Sequence, residues 1–334
     1  MVEHIFSISS PEQFNAMALE VFRFQAEHCA VYAEYLRLIG ADPASITRIE
    51  DIPMLPICLF KSHDIYSAAT PPQIVFTSSA TTGMSFSRHL VADTSIYERD
   101  FTEGFRLFYG DIKQWSVYGL LPNYLERTGS SLVYMVDSLI RQAGSGGFYL
   151  HNYEKLLSDM AADSRPKILI GVTYALLELA EKYAPKLDNI VVMETGGMKG
   201  RRKEMSKEEL HGLLCSAFGV ERIHSEYGMA ELLSQGYSTG EGLFASPPWM
   251  RVIVRDINDP FTHLEEGRRG AIDIIDLGNI YSCSFIATED VGIAYADNTF
   301  RIEGKTFLKR KLKILFKGYI QCYYYKISLV NNIM

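Results

Sequence analysis

Apolar runs of three to six residues alternate with longer segments in which apolar residues recur every three or four positions, and this pattern limits the fold more than any other feature. The runs 74–76, 117–121, 167–171, 190–194, 252–255 and 271–276 read as strands. The segments 95–109, 129–142, 153–163, 174–183 and 207–218 read as helices. Strands alternating with helices predict an α/β fold whose sheet is mostly parallel and covered by helices. Ligands in such folds collect beyond the carboxyl ends of strands. Nearer the start, Ser10 and Pro11 read as the cap and first turn of a helix whose apolar positions run from Phe14 to Leu36. The proline-flanked segment 51–67 reads as extended surface chain.

With 334 residues, 47% of them hydrophobic, the chain can bury a large core as one big domain or two modest ones. No stretch of about 18 apolar residues exists, which argues against a membrane span. No basic, apolar leader opens the sequence. Five scattered cysteines argue against a disulfide framework and fit a reducing cytoplasm. The net charge of −7 gives no reason to expect nucleic-acid binding. That charge is unevenly spread, because residues 301–334 hold eight Lys or Arg against the single acid Glu303. The organisation expected is a main domain over 1–300 and a basic, atypical tail over 301–334.

Directly after the apolar run 74–76 comes Thr77-Ser78-Ser79-Ala80-Thr81-Thr82-Gly83. Small side chains let successive backbone N–H groups converge on an anion while hydroxyls add donors, so a phosphate is the natural guest. Arg88 and His89 follow closely. A plain Ser/Thr-rich loop is the competing reading, and the spacing of a Walker P-loop is absent.

Three further segments carry chemistry. In "RIHSEYGMAELLSQGYS", Tyr227 offers a flat ring beside a turn at Gly228, and Glu231 offers a carboxylate suited to Mg²⁺. The bland alternative puts Glu231 in the first turn of a helix. A zinc site at His224 and Glu226 lacks a third ligand. In "VVMETGGMKGRRKEM", Gly196 and Gly197 end a strand where backbone can approach a ligand closely, or where it simply turns. In "SFIATEDVGIAY", Asp290 is placed to bond ribose hydroxyls or to shape a turn. Two look-alikes fail. Gly240–Ala245 matches the dinucleotide fingerprint by letter, but Pro247-Pro248 forbid the required helix, and Gly304-Lys305-Thr306 has no glycine five residues upstream of Gly304.

Taken in order, these segments resemble the adenylate-forming enzymes, which include acyl-CoA synthetases, firefly luciferase and peptide-synthetase adenylation domains. "LPICLFKSHDIYS", "LLPNYLERTGSSLVYMVDSLI", "METGGMKGRRKEM" and "IHSEYGMAELLSQGYS" are closest to acyl-protein synthetases of the LuxE type. The likeness spans about residues 52–295. It implies the large-domain fold of that superfamily with the C-terminal lid absent or truncated. It also implies ATP and Mg²⁺ as cofactors, and activation of a long-chain fatty acid as its acyl-adenylate. The acyl group would then pass to a protein thiol and on to a partner acyl reductase. By position, the resemblance assigns Ser78, Ser79, Thr81, Thr82 and Gly83 to the phosphates. Gly196, Gly197, Tyr227 and Gly228 go to the adenine side, Asp290 to the ribose and Glu231 to Mg²⁺. Glu231, Thr82 and Arg88 take the catalytic roles, Arg88 standing in for the lysine that usually closes the phosphate loop.

The departures are specific. Ala80 replaces a glycine, and Ala230 replaces a threonine that touches phosphate. The tail matches neither a lid nor an acyl-accepting end. Cys322 is its one thiol, while Cys283 reads as buried and inert. Two other functions fit the same residues: an acyl- or aryl-CoA ligase of the phenylacetate-CoA ligase type, and a degraded nucleotide-binding module that serves a partner.

Overall fold

The computed structural model describes residues 1–78, 86–121, 129–196 and 205–305. Helices α1 (Val2–Ile5), α2 (Pro11–His28) and α3 (Ala30–Leu38) lead into a two-residue strand, β1 (Leu55–Pro56). A hairpin of β2 (Ile74–Thr77) and β3 (Arg88–Val91) follows. Next come α4 (Thr94–Tyr109), β4 (Ser116–Leu120), α5 (Ser131–Ala143), β5 (Gly146–Tyr149) and α6 (Tyr153–Ala162). The alternation continues through β6 (Lys167–Val172), α7 (Thr173–Tyr183), β7 (Ile190–Thr195), α8 (Lys207–Phe218) and β8 (His224–Tyr227). The remaining strands are β9 (Gly236–Ser238), β10 (Leu243–Ala245), β11 (Met250–Arg255), β12 (Arg269–Asp276), β13 (Phe285–Ala294) and β14 (Thr299–Lys305).

Helix α2 forms where the sequence supplies both a cap and an apolar stripe. Ser10 accepts from the Gln13 N–H at the head of α2, with Pro11 at the first helical position. The single helix expected over 11–36 is instead two, because Cys29 is extended (φ −92°, ψ 99°) and breaks the run. Gln25, fully buried, donates from Nε2 to the Ile280 carbonyl (2.8 Å) and accepts at Oε1 from the Ser284 N–H (2.9 Å), fastening α2 to the entry of β13.

One large sheet runs in the order β11-β12-β13-β14-β10-β9-β8-β7-β6-β4-β5, with β1 pairing alongside β13. From β8 to β5 every pairing is parallel. All six residues of β6 are buried, as befits a strand covered on both faces. From β8 to β11 every pairing is antiparallel, so the mostly parallel sheet expected from the alternation is one half of a mixed sheet. The three-residue strands β9 and β10 and the polar strand β14 lack an apolar run, which is why periodicity missed them. Residues 51–67 correct a second expectation. Met54, Leu55, Phe60 and Ile65 are buried, and Leu55 pairs in parallel with Ile286. The domain boundary expected at residue 300 falls inside β14, which pairs with both β13 and β10.

Candidate active site

Where the parallel half of the sheet meets the antiparallel half, the strand ends surround a cavity of about 360 Å³. Five strands bring residues to it. Ser78 arrives from the end of β2, Gly196 from β7, Gly228 and Glu231 from beyond β8, Asp290 from β13 and Lys305 from β14. Ser78 at the base of the hydroxyl loop, the Tyr-Gly segment and the aspartate segment thus face one space.

Ser78 holds the base of the hydroxyl loop. Its N–H donates to the Ser87 carbonyl (3.2 Å), and its Oγ accepts from the Ser87 N–H (3.0 Å). Ser79, Thr81, Thr82 and Gly83 lie outside the described residues, as does Gly197. Gly196 adopts φ +67°, in the left-handed region that favours glycine, and its carbonyl accepts from the Thr173 hydroxyl (2.7 Å).

Glu231 is 6% exposed, and burial raises its pKa against the opposing pull of Lys61 and Lys305. A carboxylate kept from water favours its neutral form until a cation arrives. No helix follows the Tyr-Gly turn, so the helix-terminus reading of Glu231 falls away. Among the described residues no three His, Cys, Asp or Glu converge on a metal position. One carboxylate suits Mg²⁺ that takes its other ligands from phosphates and water, and the zinc reading of His224 and Glu226 gains no third ligand.

Asp290, also buried, accepts at Oδ2 from the Tyr227 hydroxyl (2.8 Å), and its Oδ1 lies 3.8 Å from Lys305 Nζ. Burial raises its pKa, and Lys305 opposes the shift.

Two assignments change. Arg88 is exposed, pairs with Asp64 (Nη1–Oδ1 2.8 Å) and does not line the cavity. On β3 it neighbours His89, which is 1% exposed, and successive strand residues face opposite sides. Lys61 and Lys305 supply the positive charge at the cavity instead. Tyr227 is likewise directed away from the cavity. Its ring packs edge-on against Phe244 and Phe300 (5.9 and 5.4 Å between centroids), while its strand neighbour Glu226 lines the cavity. Its hydroxyl instead reaches the cavity-lining Asp290.

Sequence reasoning also missed much of the cavity's lining. Tyr97 of α4, Leu132 and Met135 of α5, and Thr195, Glu226 and Gln235 all contribute to it. Only proximity in space unites these residues, and no spacing announces it. Cys283 is fully buried, as expected, with its thiol pKa pushed well up by burial. Cys322 lies outside the described residues.

No family profile matches the sequence, and no curated protein does. Solved structures do. The chain superposes on ATP-bound MatB from Rhodopseudomonas palustris with a TM-score of 0.54 at 16% identity, covering 80% of this chain and 51% of that one. A 2-hydroxyisobutyryl-CoA ligase in complex with 2-HIB-AMP and CoA, in its thioesterification state, gives 0.67 at 13% identity, covering 91% and 70%. The luciferase-like enzyme of the nonluminescent mealworm Zophobas morio gives 0.52 at 14%, covering 79% and 61%. The fold is that of the adenylate-forming enzymes. The chain spans about half the length of MatB, and at these identities the likeness describes the adenylate-forming fold alone.

Proposed function

We propose that this protein activates a carboxylic acid with ATP and passes the acyl group to a thiol. The observation that carries the proposal is the single cavity shared by Ser78, Gly196, Glu231, Asp290 and Lys305. In the reaction proposed, a carboxylate oxygen attacks the α-phosphorus as the bond to pyrophosphate breaks. The thiol later displaces AMP from the acyl carbon. Charge moves between phosphate oxygens, so the protein's task is to present fixed donors and cations. Ser78 holds the mouth of the hydroxyl loop, Lys61 and Lys305 supply positive charge, and Asp290, oriented by Tyr227, receives ribose hydroxyls. Mg²⁺ held by Glu231 would neutralise charge on the phosphate oxygens.

The likeness to LuxE-type synthetases supports a fatty acid as substrate, a protein thiol as acceptor, a partner acyl reductase and a cytoplasmic setting. Coenzyme A is the second reading, favoured by the 2-hydroxyisobutyryl-CoA ligase in complex with CoA. None of the four described cysteines lines the cavity. Following a labelled acid in the presence of CoA, or of an acyl reductase, separates the two acceptors, and intact mass shows whether Cys322 becomes acylated.

The central test is acid-dependent exchange of pyrophosphate into ATP. We expect exchange in the native chain and its loss in Glu231→Gln, which keeps the shape and removes the charge. Unchanged exchange in that variant would remove Glu231 from the metal role. Nucleotide binding with no pyrophosphate release from ATP in the presence of any acid would support the non-catalytic module instead.

A further inference from the structure

The turn that presents Glu231 to the cavity is held by side chains from distant parts of the chain. It runs between β8 and β9, and the Leu232 N–H closes it by donating to the Met229 carbonyl (3.2 Å). Asp276, at the end of β12, accepts from the Leu233 and Ser234 N–H groups (2.8 and 3.0 Å). Upstream of these, two carbonyls need donors. Asn279 donates from Nδ2 to the Glu231 carbonyl (2.8 Å) and to the Cys283 carbonyl (3.0 Å). His89 Nδ1 lies 2.8 Å from the Ala230 carbonyl, and His89 Nε2 lies 2.8 Å from Asn279 Oδ1. Both side chains are 1% exposed, and neither lines the cavity.

Two carbonyls on Nδ2 fix which end of the Asn279 amide is oxygen, and that oxygen faces the ring. Both ring nitrogens of His89 therefore face acceptors. A neutral imidazole has one N–H to give, so it bonds either Ala230 directly or Asn279, which in turn holds Glu231. Both routes end on the same turn. The ring comes from β3, just beyond Ser87, whose N–H donates to Ser78 Oγ at the base of the hydroxyl loop (3.0 Å). One buried side chain thus joins the stem of that loop to the turn that carries the carboxylate. Buried carbonyls have no water to replace a lost donor, so the turn should shift when either side chain is removed. A shift of that kind misplaces the carboxylate it presents.

Resting on the reading of Glu231 as the Mg²⁺ ligand, we propose that His89 and Asn279 are its positioning residues. They act through the Ala230 and Glu231 carbonyls. His89 also sets where the carboxylate stands relative to the stem of the hydroxyl loop.

The test is calorimetry of ATP binding with and without Mg²⁺, alongside the urea midpoint of each variant. Mg²⁺ should tighten ATP binding to the native chain. His89→Phe and Asn279→Ala should bind ATP without Mg²⁺ as the native chain does. The gain from Mg²⁺ should shrink by about 10- to 100-fold, the range for groups that orient a metal ligand. His89→Gln keeps an N–H at about the reach of the ring and should retain most of the gain. In pyrophosphate exchange, the Mg²⁺ concentration for half-maximal rate should rise in the first two variants while the KM for the acid stays put. A purely structural role would lower both ATP affinities together, or lower only the urea midpoint, and either result overturns the proposal. So does loss of the fold in both His89→Phe and Asn279→Ala, and if only one folds, that one carries the measurement. Glu231→Gln is the reference. If it loses the gain while the His89 and Asn279 variants keep it, this inference fails alone. If it keeps the gain, the metal reading fails and takes this inference with it.

Discussion

Glycine at 228 is dictated by its neighbour rather than by the turn it occupies. Its backbone needs no left-handed conformation, yet a Cβ there would press on Glu226 Oε1, and the Glu226 carboxylate is also tied to Thr195. We expect Gly228→Ala to destabilise the protein by about 1–3 kcal/mol through overpacking. The check is the urea midpoint, and an unmoved midpoint would mean that Glu226 swings aside freely. Tyr227→Phe probes a different link. It removes the donor to Asp290 Oδ2 and leaves the ring against Phe244 and Phe300, so the net loss should be about 1 kcal/mol. If Asp290 holds the ribose, the KM for ATP should rise in this variant. A KM that stays put while stability falls would make the bond purely structural. His89 shows why the cation at this site was misread. Its ring nitrogens each lie 2.8 Å from an acceptor, the Ala230 carbonyl and Asn279 Oδ1, and burial lowers its pKa to about 4. A basic pair in the sequence, Arg88-His89, is thus one exposed arginine turned outward and one buried ring serving the frame.

Between elements, one fastening near the site turns on a shared proton. Ser234 Oγ lies 2.6 Å from Asp276 Oδ1 and 2.9 Å from Asp100 Oδ2, but a hydroxyl has one hydrogen to give. The Leu233 and Ser234 N–H groups also donate to Asp276, and the Trp249 ring N–H donates to Asp100. This network ties α4 to β12 and to the segment that follows Glu231. Burial raises the pKa of both aspartates, and the facing Asp276 carboxylate adds to the rise of Asp100. Their folded pKa values lie above the unfolded one. Below about pH 4 both states are protonated and no penalty arises, whereas above it the unfolded chain sheds protons that the folded one retains, so stability is lost as pH rises through that window. Asp100→Asn keeps an acceptor for Trp249 and gives a donor to Ser234. The variant should melt higher than the native chain at neutral pH, with the gap closing as pH approaches 4. A melting point lower at every pH would show that the charge itself is needed. The cap of α5 belongs to the same scale. Ser130 accepts from the Val133 N–H (3.3 Å), and this helix carries Leu132 and Met135 to the cavity. Replacing Ser130 by alanine should cost about 1 kcal/mol, read by denaturant unfolding.

Across the whole molecule, two sheet halves of opposite character meet at one seam, and the cavity sits on it. The parallel half delivers Gly196 and Glu226 from strand ends, while the antiparallel half delivers Asp290 and Lys305 from the interior of one strand and the end of another. Phe300, fully buried, stacks on Phe244 and anchors β14 within the sheet. A chain cut after Phe300 loses the rest of β14 together with Lys305, so it should melt lower and bind ATP more weakly than one cut after Lys305. Equal behaviour of the two truncations would show that the end of β14 adds nothing to the site.

How much of this could be read from residues alone follows from distance along the chain. The α/β alternation, the α4 to α8 helices and the hydroxyl, Tyr-Gly and aspartate segments are local patterns, set by apolar period, caps and small-residue turns, and they stood out for that reason. Residues 51–67 were misjudged because prolines looked like surface punctuation, whereas their apolar side chains are buried and Leu55 and Pro56 pair with β13. Sequence by itself determined three of the segments that line the cavity, those that hold Ser78, Glu231 and Asp290. Only the tertiary structure decided which side chains of those segments face it, because a strand turns each successive residue to the opposite side and pairing alone settles which side is inward. That choice put Glu226 in and Tyr227 out, turned Arg88 away, and brought Lys61 and Lys305 from opposite ends of the chain to one cavity.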